Sequence, residues 1–323
     1  GATANCTGRG VFEGMKQVFI DGSAGTTGLR LQQRLQQRED ISLIEIEPEH
    51  RKNPHYRRKA MEQADAVVLC LPDQAAIEAA ELFKGCKGVL LDTSTAHRTA
   101  QGWVYGLPQL SKEQKNAIQQ AKQIAVPGCH ACGFIALVQP LVQQGIIAKD
   151  QPLCCFSLTG YSGGGKSMIA QYQHADRSIL LDAPRMYGLS QQHKHLKEMQ
   201  AFTQLQQLPL FSPIVGDFYS GMEVVVQLHR SQLNKGDIKE ICHTYANHYT
   251  DEVIKLVEDD QEEGFLSAGA FSGKDTMQIR ICGNQERILL VARYDNLGKG
   301  ASGGAVECLN LALGMEQTAG LQL

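Results

Sequence analysis

Lys16-Gln17-Val18-Phe19-Ile20-Asp21-Gly22-Ser23-Ala24-Gly25-Thr26-Thr27-Gly28 is the stretch that decides the fold. Residues 16–20 read as a short buried strand, and Leu29, Leu31 and Leu35 continue as a helical apolar pattern. Strand, glycine turn and helix form the context in which a glycine motif has meaning. Glycines at 22, 25 and 28 allow a tight turn and let a pyrophosphate approach the helix N-terminus, where unpaired N–H groups and the helix dipole favour an anion. The spacing is G-x-x-G-x-x-G rather than the commoner G-x-G-x-x-G, so an ordinary strand-to-helix turn competes with the nucleotide reading.

The following segments repeat the unit. Residues 41–46 read as a second strand, with Glu45 and Glu47 near its end, where an acidic side chain would hold a ribose 2′-hydroxyl. Arg51, Lys52, Arg57, Arg58 and Lys59 follow closely, and a basic cluster there suits a 2′-phosphate, favouring NADP over NAD. Residues 66–71 and 88–92 are near-continuous apolar strands, as expected where helices cover both faces of a parallel sheet, and 74–84 reads as the helix between them. The second of these strands runs into Thr93-Ser94-Thr95-Ala96-His97-Arg98. Ligands bind past the carboxyl ends of strands in open α/β sheets, so Ser94 and Arg98 are candidates to hold a phosphate. Residues 15–128 thus form a doubly wound (Rossmann-like) α/β domain.

That domain ends at Val126-Pro127-Gly128-Cys129-His130-Ala131-Cys132-Gly133-Phe134. A Pro-Gly turn delivers Cys129 to the start of a helical apolar run, where the helix dipole and unpaired N–H groups favour thiolate over thiol. Cys129 is therefore the candidate nucleophile. A buried apolar cysteine is the plain alternative.

Beyond it the pattern changes. Residues 153–159, 223–229, 277–282 and 288–294 read as strands, with helices near 166–180, 193–207 and 237–249. This is an α+β plan with a mainly antiparallel sheet. Gly160-Tyr161-Ser162-Gly163-Gly164-Gly165-Lys166-Ser167 fits the P-loop pattern and offers a different class, a kinase or ATPase. No later apolar strand ends in a convincing magnesium-binding Asp, and the first βαβ unit already offers a nucleotide site. His193, His195 and Glu198 form a second cluster. Histidines at i and i+2 cannot share a helix face, so one belongs to a loop or cap, and Glu198 is spaced to orient His195 across one turn. Near the end, Asn296 could meet a nicotinamide amide, and the apolar helix 306–313 could pack back on the first domain.

Composition narrows the classes. The 323 residues are 20% charged and 43% apolar, with a net charge of −3, so no nucleic-acid or anionic-membrane partner is expected. No apolar run approaches the ~18 residues of a membrane span. Residues 1–14 lack the plan of a signal peptide and read as a leader outside the fold. Ten cysteines without regular spacing point to a reducing, cytoplasmic setting; Cys129-x-x-Cys132 could be completed as a metal site only by His193 and His195, at a spacing that does not suit a structural site, so no metal is expected.

Together these markers, with Gly102-Trp103-Val104-Tyr105-Gly106-Leu107-Pro108 and Lys299-Gly300-Ala301, resemble the N-acetyl-γ-glutamyl-phosphate reductase family in its shorter-chain form, over 15–323. The resemblance implies NADPH-dependent reduction of N-acetyl-L-glutamyl 5-phosphate to the 5-semialdehyde with release of phosphate, in arginine biosynthesis. It implies a fold like aspartate-semialdehyde dehydrogenase, with 15–128 plus 299–323 binding NADP(H) and 129–298 carrying catalysis and oligomerisation, as a homodimer or homotetramer. Gly22, Ser23, Gly25, Thr26, Thr27, Gly28, Arg51, Ser162, Gly163 and Asn296 are then the cofactor residues. Cys129 becomes the thioester-forming nucleophile, His195 the first-choice acid/base with His193 second, and Glu198 the orienter. Arg185 and Tyr187 are candidates for the substrate α-carboxylate. The family's Asn-Pro-Gly-Cys appears here with Val126 in place of the asparagine. Aspartyl or aminoadipyl phosphate are alternative substrates.

Overall fold

Apolar runs at 18–20, 66–69, 90–91 and 124–125 are buried, as a parallel sheet covered on both faces demands. In the computed structural model, which describes residues 14–258 and 262–323, these runs build a six-stranded sheet. Apart from Gly14, the expected leader lies outside the described residues. The strands are β1 (Lys16–Asp21), β2 (Ile41–Ile44), β3 (Ala66–Leu69), β4 (Val89–Asp92), β5 (Val104–Tyr105) and β6 (Gln123–Ala125), in the order β2-β1-β3-β4-β6-β5 and all parallel. Helices α1 (Thr26–Gln36), α2 (Pro54–Gln63), α3 (Asp73–Phe83) and α4 (Lys112–Gln120) connect them. The order reverses beside β1, which places the glycine turn at the crevice where such sheets take ligands. Two expected strands are shorter than expected: β2 stops at Ile44 and β3 at Leu69, where Pro72 opens α3. Leu31 and Leu35 are buried, but Leu29 faces outward and is 46% exposed.

Helix α5 (Cys129–Gln143) crosses to the second half, with twelve of its fifteen residues buried. Pro140 inside it cannot donate to the Ala136 carbonyl, and the Tyr249 hydroxyl takes that acceptor instead at 2.5 Å. The helix packs on a seven-stranded sheet of β7 (Cys154–Gly160), β8 (Arg185–Met186), β9 (Leu210–Gly216), β10 (Met222–His229), β11 (Ile254–Leu256), β12 (Met277–Gly283) and β13 (Arg287–Tyr294). The order is β11-β12-β13-β10-β7-β9-β8, with four antiparallel and two parallel pairings. The sheet is mainly antiparallel, as expected, but the expected strands omit β8, β9 and β11. β9 contains Pro213, which argues against a paired strand in a sequence.

Helices α6 (Gly165–Gln173), α7 (Leu196–Thr203) and α8 (Ile238–His248) flank this sheet. The expected helix over 166–180 ends at Gln173, and Ile179–Asp182 forms a separate 3-10 turn capped by Ser178. The expected helix over 193–207 shrinks to α7, because His193 lies in the preceding loop and His195 is the N-cap.

The chain returns through a buried π-helical turn, Gly298–Ser302, into α9 (Gly303–Ala312). Val306, Leu309 and Leu311 of α9 join Val18, Leu31, Leu35 and Ile124 in the core of the first sheet. A buried ion pair fixes this return: Lys299 Nζ lies 2.5 Å from Glu307 Oε1 and 2.9 Å from Gln109 Oε1. Replacing Glu307 by leucine leaves that ammonium without a counter-charge, and urea unfolding should register a loss of ~3–5 kcal/mol. The double variant Lys299→Met/Glu307→Leu should recover most of it. Equal losses in the single and double variants would show that packing, not charge, sets the cost.

Candidate active site

The site begins with a residue that has no side chain. Gly128 is the N-cap of α5, and a Cβ there would lie 2.6 Å from His195 Nε2 and 2.7 Å from Arg98 Nη1. Its absence lets an imidazole and a guanidinium close over the first turn of the helix. Cys129 follows as the first helical residue. On its other side is the π-turn, where a Cβ on Gly300 would lie 3.0 Å from Cys129 Cβ. The Tyr294 hydroxyl donates to the Cys129 carbonyl and accepts from Gly133 N at 2.9 Å.

Cys129 is half-buried and opens into a cavity of about 310 Å³. His193, His195, Tyr187, Ser162, Gly163 and Asn296 line the same cavity. Asn296 donates to Ser162 Oγ at 3.0 Å and accepts from Gly221 N at 2.9 Å, so its amide is held in one orientation. His130 was not singled out in the sequence, although it directly follows the cysteine. Its Nδ1 and Nε2 are each 2.7 Å from a hydroxyl, of Ser157 and Tyr187 respectively. No local spacing links His130 to Ser157 or Tyr187, so the sequence carries no signal for the pairing.

The electrostatics correct one expectation. Protein packed around the thiol pushes Cys129 up to about 11; Arg98 and the backbone N–H groups of His130 and Cys129 act the other way but do not prevail. The helix N-terminus favours thiolate as expected, and burial outweighs it. Burial also drives His195 well below the usual imidazole range, with His130, Arg98, His193 and Lys194 adding to the effect. His193 is lowered to about 4, by burial and then by Lys194. His130 is lowered to about 3, by burial and then by His193. All three imidazoles are therefore neutral near pH 7 and able to accept a proton. The His195 backbone N–H donates to His193 Nδ1 at 3.0 Å, which leaves Nε2 as the proton-bearing nitrogen of neutral His193.

Glu198 does not serve as the expected orienter of His195. Its carboxylate accepts from Gly128 N at 2.8 Å, Tyr105 Oη at 2.7 Å and Arg98 Nη1 at 3.0 Å, while His195 Nδ1 is buried with no hydrogen-bond partner. Arg98 lines the cavity but also donates to the carbonyls of Val126 and Thr93. Ser94 Oγ donates to Asp92 at 2.9 Å and lines a neighbouring cavity rather than that of Cys129. Tyr187 lines the Cys129 cavity. Arg185 is outside it, donating to Tyr172 Oη at 2.9 Å and stacking on that ring.

The residues expected to take a dinucleotide also assemble. Gly22 has φ +89°, and a Cβ there would lie 2.4 Å from the Cys70 carbonyl; a Cβ on Gly28 would lie 2.2 Å from the Gly22 carbonyl. Only glycine fits either position, and the resulting turn carries α1 with no side-chain cap at its N-terminus. A cavity of about 580 Å³ runs from Gly22 and Ser23 past Glu45 and Glu47 to Arg51, Lys52 and Arg57. Gly25, Thr26 and Thr27 line the cavity next to it. The basic cluster is divided: Arg57 pairs with Asp21 at 2.7 Å, and Arg58 pairs with Glu62 and the carbonyls of Leu82 and Lys84. Arg51 and Lys52 remain exposed at the cavity edge. The groups present therefore fit a dinucleotide carrying an extra phosphate. The P-loop match does not form a second nucleotide site. Lys166 Nζ donates to the Ala24 carbonyl at 2.9 Å, and Ser162 and 163–165 line the Cys129 cavity.

Comparison with known proteins agrees with this geometry. Residues 129–296 match the semialdehyde dehydrogenase, dimerisation domain family. N-acetyl-gamma-glutamyl-phosphate reductase 2 of Nostoc sp. is 42% identical over 318 residues, covering 94% of this chain and 99% of that one. N-acetyl-gamma-glutamyl-phosphate reductase of Chelativorans sp. is 41% identical over 309 residues, covering 92% and 98%. Among solved structures, aspartate semialdehyde dehydrogenase II of Vibrio cholerae, complexed with ASA, superposes with a TM-score of 0.69 at 14% identity over 92% of this chain and 98% of that one. Aspartate semialdehyde dehydrogenase with NADP from Candida albicans gives a TM-score of 0.65 at 13% identity over 92% and 98%. The structural likeness establishes the shared fold, and the curated relatives establish more: the chain belongs to the N-acetyl-γ-glutamyl-phosphate reductase family.

Proposed function

We propose that the protein reduces N-acetyl-L-glutamyl 5-phosphate to N-acetyl-L-glutamate 5-semialdehyde with NADPH, releasing phosphate, in arginine biosynthesis. The observation that carries this reading is a cysteine at the first turn of a helix, next to the glycine over which His195 closes, and facing a cavity shared with His195, Ser162, Gly163 and Asn296. The names of the relatives support the substrate.

An acyl phosphate is already activated, so a sulfur nucleophile displaces phosphate directly. His195 takes the Cys129 proton, and Sγ bonds to the γ-carbonyl carbon. The tetrahedral oxyanion meets N–H groups of the first turn of α5; one such donor is typically worth ~3 kcal/mol. When the carbonyl re-forms, the bond from carbon to the phosphoryl oxygen breaks. Phosphate leaves with the electron pair and takes the proton from the His195 imidazolium. A thioester remains on Cys129, and the hydride that reduces it would come from NADPH held by the glycine turn and by Ser162, Gly163 and Asn296. In the hemithioacetal that results, the oxyanion re-forms a carbonyl, the C–S bond breaks and the aldehyde departs. The thiolate regains a proton from solvent through His195.

In this reading Gly22, Ser23, Gly25, Thr26, Thr27 and Gly28 would hold the pyrophosphate, and Arg51 the 2′-phosphate. Ser162, Gly163 and Asn296 would hold the nicotinamide end. Tyr187 stands near enough to the nucleophile to contact substrate. The division into 15–128 plus 299–323 and 129–298 belongs to the same reading, as does a cytoplasmic homodimer or homotetramer. Ile179, Leu180 and Leu189, each more than 70% exposed, lie within the region matched to the dimerisation family and support self-association.

In Cys129→Ser, phosphate-dependent oxidation of N-acetylglutamate semialdehyde by NADP should vanish while NADPH still binds. Activity near wild type would remove Cys129 from the reaction. His195→Ala should lower kcat by ~10²–10⁴, the usual worth of a general acid/base, and His193→Ala by less. Comparing rates on N-acetylglutamyl, aspartyl and aminoadipyl phosphates decides the substrate. The raised thiol gives a separate expectation. Below about pH 11 the thiolate fraction climbs with pH, so iodoacetamide alkylation of Cys129 in the ligand-free protein should rise about tenfold per pH unit from 7 to 10. A plateau reached by pH 8 would mean that the thiolate is already stable before substrate binds.

A further inference from the structure

We propose that Lys194 is the group that receives the phosphoryl moiety of the substrate, on the rim of the Cys129 cavity. The proposal rests on the acyl-phosphate reading above. The Cys129 cavity and the neighbouring cavity of about 450 Å³ share Thr26, Thr27, Thr93, Arg98, Lys194 and His195. A carbonyl carbon attacked by Cys129 carries its phosphoryl group one oxygen away. That group is doubly charged and gains charge as it leaves, so it needs a cation close to the nucleophile and to His195.

Among the described residues three lysine or arginine side chains line the Cys129 cavity, Arg30, Arg98 and Lys194, and Arg98 is already matched. Arg98 faces the buried Glu198 carboxylate and directs four bonds to Glu198, Thr95, Val126 and Thr93. Arg30 donates to Tyr219 Oη at 2.9 Å and keeps a buried Nε without a partner, but it does not line the neighbouring cavity that Arg98 and Lys194 share. Lys194 is exposed and has no ion pair or hydrogen bond among the described residues. Its ammonium is a compact charge on a flexible stem, able to follow a leaving group.

Lys194 lies between the two histidines in sequence, and its charge disfavours protonation of both His193 and His195. Arg98 is the other standing positive charge that bears on His195, and His130 and His193 would add to it only when protonated. A phosphoryl dianion on Lys194 cancels part of that field at the moment His195 must accept the thiol proton. The substrate thereby makes its own base more basic, and a cavity without phosphate keeps the thiol protonated.

The test uses the reverse reaction, in which inorganic phosphate and the semialdehyde are separate substrates. Lys194→Met should raise the KM for phosphate about tenfold or more, the worth of one charge-assisted hydrogen bond, and leave the KM for the aldehyde within about twofold. Lys194→Arg should restore most of the phosphate affinity. Phosphate should also protect Cys129 from iodoacetamide, with half-protection moving to about tenfold higher concentration in Lys194→Met. Unchanged phosphate KM and protection in Lys194→Met would overturn the proposal, as would a rise confined to the aldehyde KM, which would assign Lys194 to the α-carboxylate. A wild-type protein with no phosphate-dependent oxidation would instead overturn the acyl-phosphate reading, while the protection assay still reports on Lys194.

Discussion

One buried carboxylate holds the reactive end of the molecule together. Glu198, 1% exposed, accepts from the Gly128 backbone, the Tyr105 hydroxyl and the Arg98 guanidinium. These donors come from the N-cap of α5, from β5 of the first sheet, and from the loop after β4. The acceptor itself comes from α7, which flanks the second sheet. A carboxylate this deep is tolerable only when paired and hydrogen-bonded, and removing one partner of such a set typically costs ~3–5 kcal/mol. The same bonds fix the orientation of Gly128, and Gly128 sets where Cys129 begins its helix. Joining the two sheets and placing Cys129 are therefore one interaction.

The thiol is set by a contest of magnitudes. A helix N-terminus is worth roughly 0.3–1 kcal/mol to an adjacent negative charge. Burial of an ionisable group can move its pKa by 3–5 units, each equal to about 1.4 kcal/mol. Burial wins at Cys129, and its resting form is the thiol. The same dryness holds His195 neutral. A neutral imidazole and a protonated thiol lining one cavity are a poised pair, and proton transfer between them waits for a change in local charge.

What was legible in the sequence is what local spacing encodes. The glycine turn between an apolar strand and helix gave the first sheet. The Pro-Gly-Cys turn gave the place of Cys129 at the start of α5, and the His-x-His spacing required that one of the two histidines lie in a loop or cap. What stayed hidden depends on long-range partners. The three groups that bind Glu198 lie 93, 100 and 70 residues away in the chain, so the expectation of a bond across one turn to His195 had no competitor in view. The same distance hid the division of the basic cluster, because Asp21 captures Arg57 from 36 residues away. Val126 departs from the family's asparagine, yet its backbone is what the site uses: its N–H donates to the Asp92 carbonyl and its carbonyl accepts from Arg98 Nε. A side chain is not needed for either bond, which explains how an apolar residue is accommodated there.

The last segment of the chain ties catalysis to stability. Helix α9 completes the core of the first sheet, yet the turn that leads into it is the wall behind Cys129. Lys299 is anchored by Glu307 and Gln109, and the next residue, Gly300, abuts Cys129. A π-helical turn widens the helix by one residue, and such turns are often found at functional sites. Here the widening lets one backbone direct an ammonium into the core and a bare Cα against a cysteine within two consecutive residues. A regular first turn for α9 would shift one of the two contacts, so the irregular geometry is what allows the closing helix to pack on the nucleotide half while supporting the thiol on the other.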